Sequence, residues 1–247
     1  MIESVSSVIY APEKKRITAR FRHEYKYLLD AKTDALLRSR ASGVMSRDRH
    51  TIGNGTYIVR SVYFDDLNDS CLQENVGGSD PRSKFRLRYY NFDNDRLFLE
   101  KKIKTHGMCL KRSCDITPEE AAMMLEGKTV LPTAEMPPEK QSLLTEYRLR
   151  SMRPKVIVTY ERMPFVYVGG NVRVTFDAKL TSSVDLDHFL DGHYRERPIF
   201  SCGQSLMEVK WDEVLPCHIR DVLTIDSLYW QAFSKYYMCR IFGELST

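Results

Sequence analysis

Basic residues recur at every second position in several segments of the chain, and this spacing is the first indication of chemistry. In the segment KFRLRYY (84–90), Lys84, Arg86 and Arg88 share one face of an extended chain, while the opposite face is aromatic and aliphatic. An ordinary half-buried strand has one apolar face and one mixed, hydrated face. Here the polar face is entirely cationic, which indicates either a solvated surface or one wall of an anion-binding site.

The same two-residue period places charged residues on one face of other segments, opposite faces that are mostly apolar. These charged faces carry Arg22, Glu24 and Lys26; Glu100, Lys102 and Lys104; Lys111; Arg162; Arg173 and Asp177; and Glu208 and Lys210.

Two arrangements could use this pattern: an open sheet whose charged face meets water, or a barrel whose interior carries the charges. Eight strands enclose room only for side chains or one slender ligand. The cations outnumber the carboxylates too strongly for self-pairing, and an uncompensated buried charge costs several kcal/mol, so a closed interior would need a polyanion and water. Arginine forks and lysine point charges suit a chain of phosphates. The spacing alone does not separate a lumen from a concave open face.

Eight alternating segments are predicted strands, and their short connections favour an antiparallel sheet or barrel. They are 22–29, 56–64, 84–90, 96–104, 108–116, 154–163, 171–178 and 205–211.

Four helices are predicted between and after these strands. Asp30 can cap a helix that extends to about Met45, and Thr117-Pro118-Glu119-Glu120 forms a capping box for a second helix. The segments 138–152 and 226–242 are the other two candidates. We therefore expect a single α+β domain over residues 1–247, with residues 1–19 as a flexible N-terminal segment.

Bulk composition excludes several classes. The formal net charge of +4 is too small to indicate nucleic acid by itself. Aromatic residues interleaved with the cations would be expected in an RNA-binding sheet, but Phe85 and Tyr89 lie opposite Arg86 and Arg88, so no nucleic-acid partner is expected. No apolar run is long enough to cross a bilayer and no signal peptide is recognised, which predicts a cytoplasmic protein.

Nine motifs occur in an order that resembles the VTC (vacuolar transporter chaperone) domain of the triphosphate tunnel metalloenzymes. They are HEYKYLL, SVYFDD, FRLRYY, LEKK, LKR, YERMPF, VRVTFD, MEVKW and FSKYY, between about residues 20 and 240. The resemblance implies an eight-stranded antiparallel β-barrel tunnel surrounded by α-helices. It also implies transfer of the ATP γ-phosphate onto inorganic polyphosphate, with Mn²⁺ or Mg²⁺ as cofactor.

The resemblance further implies a role for each matching residue. The phosphate-handling catalytic residues would be Lys26, Arg86, Arg88, Lys102, Arg162, Arg173 and Lys235, a further substrate contact would be Lys111, and the metal ligand would be Glu208. Beside these matches, Lys210 and Arg22 are candidate substrate contacts, and Glu24 and Glu100 are candidate metal ligands. For Glu24 and Glu100 an ion-pair role stays open, and Lys210 could simply balance Glu208.

Other functions stay open at this level. With water as acceptor the same site would be a triphosphatase, although hydrolytic relatives often carry ExExK in the first strand and a second carboxylate is missing beside Glu24 and Lys26. A non-catalytic polyphosphate- or nucleotide-binding module would use the same cations. Polyphosphate export would need a separate membrane protein partner, through which the protein would be membrane-associated.

Overall fold

Eight antiparallel strands close into a barrel. The computed structural model describes residues 20–48, 51, 53 and 55–244; the N-terminal segment 1–19 lies outside the described residues. The long strands are β1 (Arg22–Leu29), β3 (Tyr57–Asp65), β4 (Arg82–Tyr90), β5 (Asp93–Thr105), β6 (Met108–Ile116), β7 (Arg153–Tyr167), β8 (Val172–Ser183) and β10 (Ser205–Trp211).

The strand order around the barrel is β7-β3-β4-β5-β6-β1-β10-β8, and β8 pairs with β7 to close it. Two short strands, β2 (Ser46–Arg47) and β9 (Arg197–Pro198), add to β7 and β8. All eight predicted strands are present, so the predicted eight-stranded antiparallel barrel is confirmed. The β1–β6 pairing includes only two residue pairs, at Arg22 and His23, because the two strands are strongly staggered.

In the described part of the chain, six helices surround the barrel: α1 (Ala31–Val44), α2 (Ser70–Val76), α3 (Pro118–Leu125), α4 (Pro138–Leu149), α5 (Cys217–Leu223) and α6 (Lys235–Glu244). Two of the predicted caps are confirmed. Asp30 accepts a hydrogen bond from the Thr33 backbone N–H at 2.7 Å, and Thr117 and Glu120 form the reciprocal capping box. None of the described helices is long and apolar enough to cross a membrane.

The prediction of a tail helix from residue 226 was wrong at its start. Residues 226–234 are not helical, and α6 begins only at Lys235. The Gln231 backbone N–H donates to the Lys26 carbonyl oxygen at 2.9 Å, so this segment binds the edge of β1 that β6 leaves unpaired. The helices α2 and α5 were not predicted, because seven residues are too few for a clear helical period.

The apolar faces of the strands point outward and are covered by the helices. Phe85 on β4 contacts Tyr147 of α4 with ring centroids 6.1 Å apart, and both are buried. On another side, Phe165 and Phe176 lie in a buried cluster with Leu37 of α1. Because side chains alternate across a strand, this outward apolar packing directs the charged faces into the barrel.

Asp65, at the end of β3, joins α2 to α6. Its fully buried carboxylate accepts hydrogen bonds from the backbone N–H groups of Cys71 and Leu72, at 2.8 and 3.0 Å, and from the Tyr236 hydroxyl at 2.5 Å. It thus caps the start of α2 and holds the first turn of α6. This contact helps to fix where Lys235 enters the barrel.

Replacing Asp65 by Ala should lower the free energy of unfolding by about 3 kcal/mol, because it removes four hydrogen bonds to a charged acceptor, including one from the Asp66 backbone N–H, and leaves buried donors unsatisfied. Urea unfolding followed by circular dichroism measures this change. The exposed Asp95→Ala is the matched control and should change stability by less than about 0.5 kcal/mol. A similar small change for Asp65→Ala would contradict the anchoring role.

Candidate functional site

The barrel encloses a cavity of about 1300 Å³ whose wall is dominated by basic side chains. Among the described residues, seven arginines and seven lysines line it, together with the carboxylates of Glu24, Glu208 and Asp212. The basic residues are Arg20, Arg22, Arg82, Arg86, Arg88, Arg162, Arg173, Lys26, Lys84, Lys102, Lys104, Lys111, Lys210 and Lys235.

The structure brings the predicted site residues together. All of them line the cavity except Glu100, whose buried carboxylate lies behind Arg86 and Lys111. Arg60 on β3 lies outside the barrel, where its guanidinium is 4.4 Å from the centroid of the Phe92 ring.

A cluster of buried charges surrounds Glu208 in the lumen. Glu208 pairs with Lys235 at 2.9 Å, and Lys210, Arg162 and Lys26 lie 3.4 to 3.6 Å from its oxygens. β10 supplies Glu208, and α6 supplies Lys235. The lysine that enters from α6 therefore pairs with a carboxylate on β10.

Asp177 is a functional-site residue that the sequence reasoning did not select. Arg162 donates two hydrogen bonds to its carboxylate, each at 2.6 Å, and Lys235 lies 2.7 Å from the same group. The side chain is fully buried. Its strand position gave a signal, since it shares its face with Arg173 and Thr175, but nothing in the sequence showed that β7 and β8 would pair Arg162 with it.

Glu24 forms a second cluster next to the first. Its carboxylate accepts hydrogen bonds from Lys102 at 2.7 and 2.8 Å, and Lys210 and Lys26 lie 3.2 and 3.8 Å away. Lys26 and Lys210 thus lie within 4 Å of both Glu24 and Glu208. The register explains this sharing, because Lys26 is directly opposite Glu208 and Lys210 is opposite Glu24.

Glu100 organises the third cluster, on β4, β5 and β6. Arg86 and Lys111 each approach its carboxylate to 2.7 Å, and Arg88 lies 3.5 Å away. The two arginines also donate to tyrosine hydroxyls, Arg86 to Tyr63 at 3.0 Å and Arg88 to Tyr160 at 3.2 Å. These contacts hold both guanidinium groups at fixed positions on the lumen wall.

The three glutamates are ionised in this environment. Burial by itself raises a carboxyl pKa, but the surrounding cations outweigh it. Lys102 and Lys26 hold the pKa of Glu24 well below its ordinary value, Lys235 and Lys210 do the same for Glu208, and Arg86 and Arg88 lower the pKa of Glu100. Burial likewise opposes the charged form of Lys102 and Lys235, but Glu24 and Asp177 raise the pKa values of these lysines.

Lys84 is the lumen lysine whose surroundings favour the neutral form most. Its ammonium group donates to Asn75 Oδ1 and to Ser234 Oγ, each at 2.6 Å, and no carboxylate of the described residues lies within 4 Å of it. Burial, with the nearby charges of Lys26 and Lys102, lowers its pKa to about 7. It shares the strand face of Arg86 and Arg88, but the resemblance did not assign it a role.

Carboxylates suitable for a divalent cation are present, but they do not form a metal cage. Within the described ranges no group of three or more potential ligands converges. Mg²⁺ is commonly held by one or two carboxylates together with substrate phosphates, and Glu208 and Glu24 fit that donor set. The lysines between them would then have to exchange partners with the incoming phosphates. Glu100, surrounded by Arg86, Arg88 and Lys111, fits an arginine-positioning role better.

Comparison with known proteins supplies a family and a fold. Residues 21–241 match the VTC domain. No protein in the curated set matches the chain.

Solved structures with the same architecture share little sequence. The putative adenylyl cyclase HpAC1 from Hippeastrum, described as having a dominant triphosphatase activity, aligns with a TM-score of 0.53 and 14% identity over 89% of this chain and 95% of its own. A putative adenylate cyclase from Bacillus halodurans aligns over 83% and 86% of the two chains, with 14% identity and a TM-score of 0.47. The first of these likenesses shows a shared fold.

Triphosphate binding should be coupled to protonation of Lys84. A polyanion favours the ammonium form, so its binding should raise the pKa of Lys84 from about 7, and apparent affinity should fall as pH rises above 7. At pH 8 about one proton should be taken up per inorganic triphosphate bound, measured by calorimetry in buffers of different ionisation enthalpy. Lys84→Met should abolish this uptake, whereas the matched surface variant Lys128→Met should retain it. Equal uptake by wild type and Lys84→Met would exclude Lys84 as the coupled group.

Proposed function

This chain belongs to the VTC domain family, and we propose that it is a metal-dependent polyphosphate polymerase that transfers the ATP γ-phosphate onto a growing inorganic polyphosphate chain. The observation that carries the proposal is the enclosed cavity with far more basic than acidic side chains. Such an interior is stabilised by a ligand that carries many negative charges in a slender shape. A phosphate chain has both properties.

The arginines of the lumen are the groups that would stabilise the transferred phosphoryl group. Arg86, Arg88 and Arg162 are each held by carboxylate or hydroxyl partners on neighbouring strands. Arg173 lies nearer the rim, 3.0 Å from both Asp48 and the Tyr57 hydroxyl. Guanidinium groups fixed before substrate binding can stabilise charge on the equatorial oxygens without reorganising.

The lysines would hold the rest of the phosphate chain in line. Lys26, Lys102, Lys111 and Lys235 approach the lumen from β1, β5, β6 and α6, so they surround a ligand on several sides. Further contacts would come from Lys210 and from Arg22, which pairs with Asp212 at 2.7 Å near the start of β1. Positioning and charge neutralisation are the main requirements of phosphoryl transfer.

Mn²⁺ or Mg²⁺ would be held by Glu208, with Glu24 as the second carboxylate, and would withdraw electron density from the phosphate oxygens that it binds. In the transfer itself an oxygen of the acceptor chain attacks the γ-phosphorus and the bond to the β-phosphate oxygen breaks, which releases ADP. The acceptor oxygen is already anionic near neutral pH. No side chain is therefore required as a general base.

Triphosphatase activity is the second candidate function. The Hippeastrum protein that shares this fold is described as a triphosphatase, and water could replace the acceptor phosphate in the same lumen. The first strand here offers one carboxylate, Glu24, between Arg22 and Lys26, which favours the polymerase.

A non-catalytic phosphate-binding module is the third candidate function. A cytoplasmic location and a separate membrane protein partner stay predictions.

Incubation with γ-labelled ATP and Mn²⁺ should produce a ladder of labelled polyphosphate on a gel. Glu208→Ala and Lys235→Ala should each reduce its rate at least 100-fold, because the first removes the proposed metal ligand and the second removes a proposed phosphate contact. The exposed pair Glu126 and Lys128 supplies matched controls, and Glu126→Ala and Lys128→Ala should retain the wild-type rate.

Other results of this experiment would contradict the proposed function or one part of it. Labelled free phosphate without a ladder would replace the polymerase by a triphosphatase. Intact ATP with retained polyphosphate binding would indicate a binding module. Activity that survives in Glu208→Ala would contradict the assigned metal ligand, and synthesis and release of long chains by the isolated protein would argue against a required membrane partner.

A further inference from the structure

An exposed aromatic stack lies on the outer side of β1. The rings of Tyr25 and Trp230 are parallel within 12°, with centroids 5.6 Å apart, and Tyr25 meets Trp211 edge-on at 4.9 Å. Trp211 is buried and also stacks on His23. In contrast, Trp230 is 64% exposed. Because Tyr25 covers one face of this indole, the opposite face is open to solvent.

Trp230 belongs to the mouth of the phosphate-binding cavity. It lines the same cavity as the lumen cations, and so does Val76 at the end of α2, which is 60% exposed. The aromatic and aliphatic surface is therefore continuous with a strongly cationic interior.

The segment that carries Trp230 is tied to the lumen at successive residues. The Gln231 N–H donates to the Lys26 carbonyl oxygen, and the Phe233 carbonyl accepts from the Lys26 ammonium at 2.8 Å. Ser234 then accepts from Lys84, and Lys235 reaches Glu208. Four residues span at most about 14 Å, so the indole lies within a short distance of the innermost lysines.

We propose that Trp230, supported by Tyr25, is the base-binding subsite for a nucleoside triphosphate donor, with the base stacked on the open indole face and the triphosphate directed toward Lys84 and Lys26. This inference rests on the proposed function and deepens it. A planar base gains stacking energy on an indole, whereas inorganic triphosphate has no group that could use this surface. The stack thus distinguishes a nucleotide donor from an inorganic one.

A nucleobase is a better ligand for Trp230 than a protein partner because Trp230 lines the same cavity as the lumen cations. A partner side chain on Trp230 would leave the adjacent cations without a role, whereas a nucleoside triphosphate uses both parts at once. The stack of Tyr25 on Trp230 also keeps the ring in one orientation, which lowers the entropy cost of stacking a ligand on it.

The test compares the affinities of ATP and inorganic triphosphate, measured by calorimetry in Mg²⁺ buffer. Trp230→Ala should weaken ATP binding about 5- to 50-fold and change triphosphate binding less than twofold, and Trp230→Phe should restore most of the ATP affinity. The matched control is Tyr229→Ala, because Tyr229 is the adjacent residue and 79% exposed. It should change neither affinity.

Fluorescence gives a readout independent of the calorimetry, since the chain has only two tryptophans. ATP should quench wild-type emission, inorganic triphosphate should not, and the quenching should disappear in Trp230→Phe.

The outcomes separate failure of the inference from failure of the proposed function. Equal weakening of both ligands in Trp230→Ala would show that the residue only supports the segment, and no weakening of either would show that the base does not bind there; both results overturn the inference and leave the phosphate-binding lumen intact. Wild-type protein that bound neither ligand would overturn the proposed function and this inference together.

Discussion

The structure depends on one electrostatic constraint, the excess of positive charge inside a closed barrel. Among the described residues, fourteen basic residues and three carboxylates line the cavity, and two further carboxylates, those of Glu100 and Asp177, are buried against lumen arginines. Each buried ion loses several kcal/mol of hydration, and its attraction to a partner recovers this only when the geometry is good. The few carboxylates are therefore shared, so that Glu208 alone has four cations within 4 Å. The remaining positive charge is the property of the lumen that favours a polyanionic ligand.

Because Glu24 and Glu208 share lysine partners, these lysines can exchange a carboxylate contact for a contact with a phosphate ligand. Lys26 and Lys210 lie between Glu24 and Glu208 and are held fully by neither. A phosphate oxygen entering this region could take over one lysine contact at a time while the carboxylates gain a divalent cation. The arginines behave differently, because Arg162 is fixed by two hydrogen bonds to Asp177 and Arg86 by Glu100 and Tyr63. The lumen thus combines a preformed arginine wall with lysines whose partners can change.

The chain segment outside β1 is part of the site because residues 230–234 line the cavity. The stagger of β1 against β6 leaves a strand edge unpaired, and residues 230–234 cover it through the bond from Gln231 to Lys26. The same stretch then delivers Lys235 to Glu208 and Asp177. Asp65 and Tyr236 fix α6 from outside. One short stretch of chain therefore closes the barrel edge, forms part of the cavity mouth and supplies a buried cation.

The sequence by itself determined the strands, which residues share each charged face, and the family, because the two-residue period of a strand and the helix caps are local properties of the chain. It also placed Arg86, Arg88 and Lys102 correctly on the lumen side. Only the tertiary structure decided that Asp177 pairs with Arg162, that Lys84 lies near the cations Lys26 and Lys102, that Arg60 lies outside the barrel, and that residues 226–234 are not helical. These features depend on register and closure between segments far apart in sequence. No local sequence pattern encodes these contacts between distant segments, because they form only when all eight strands pack into one barrel.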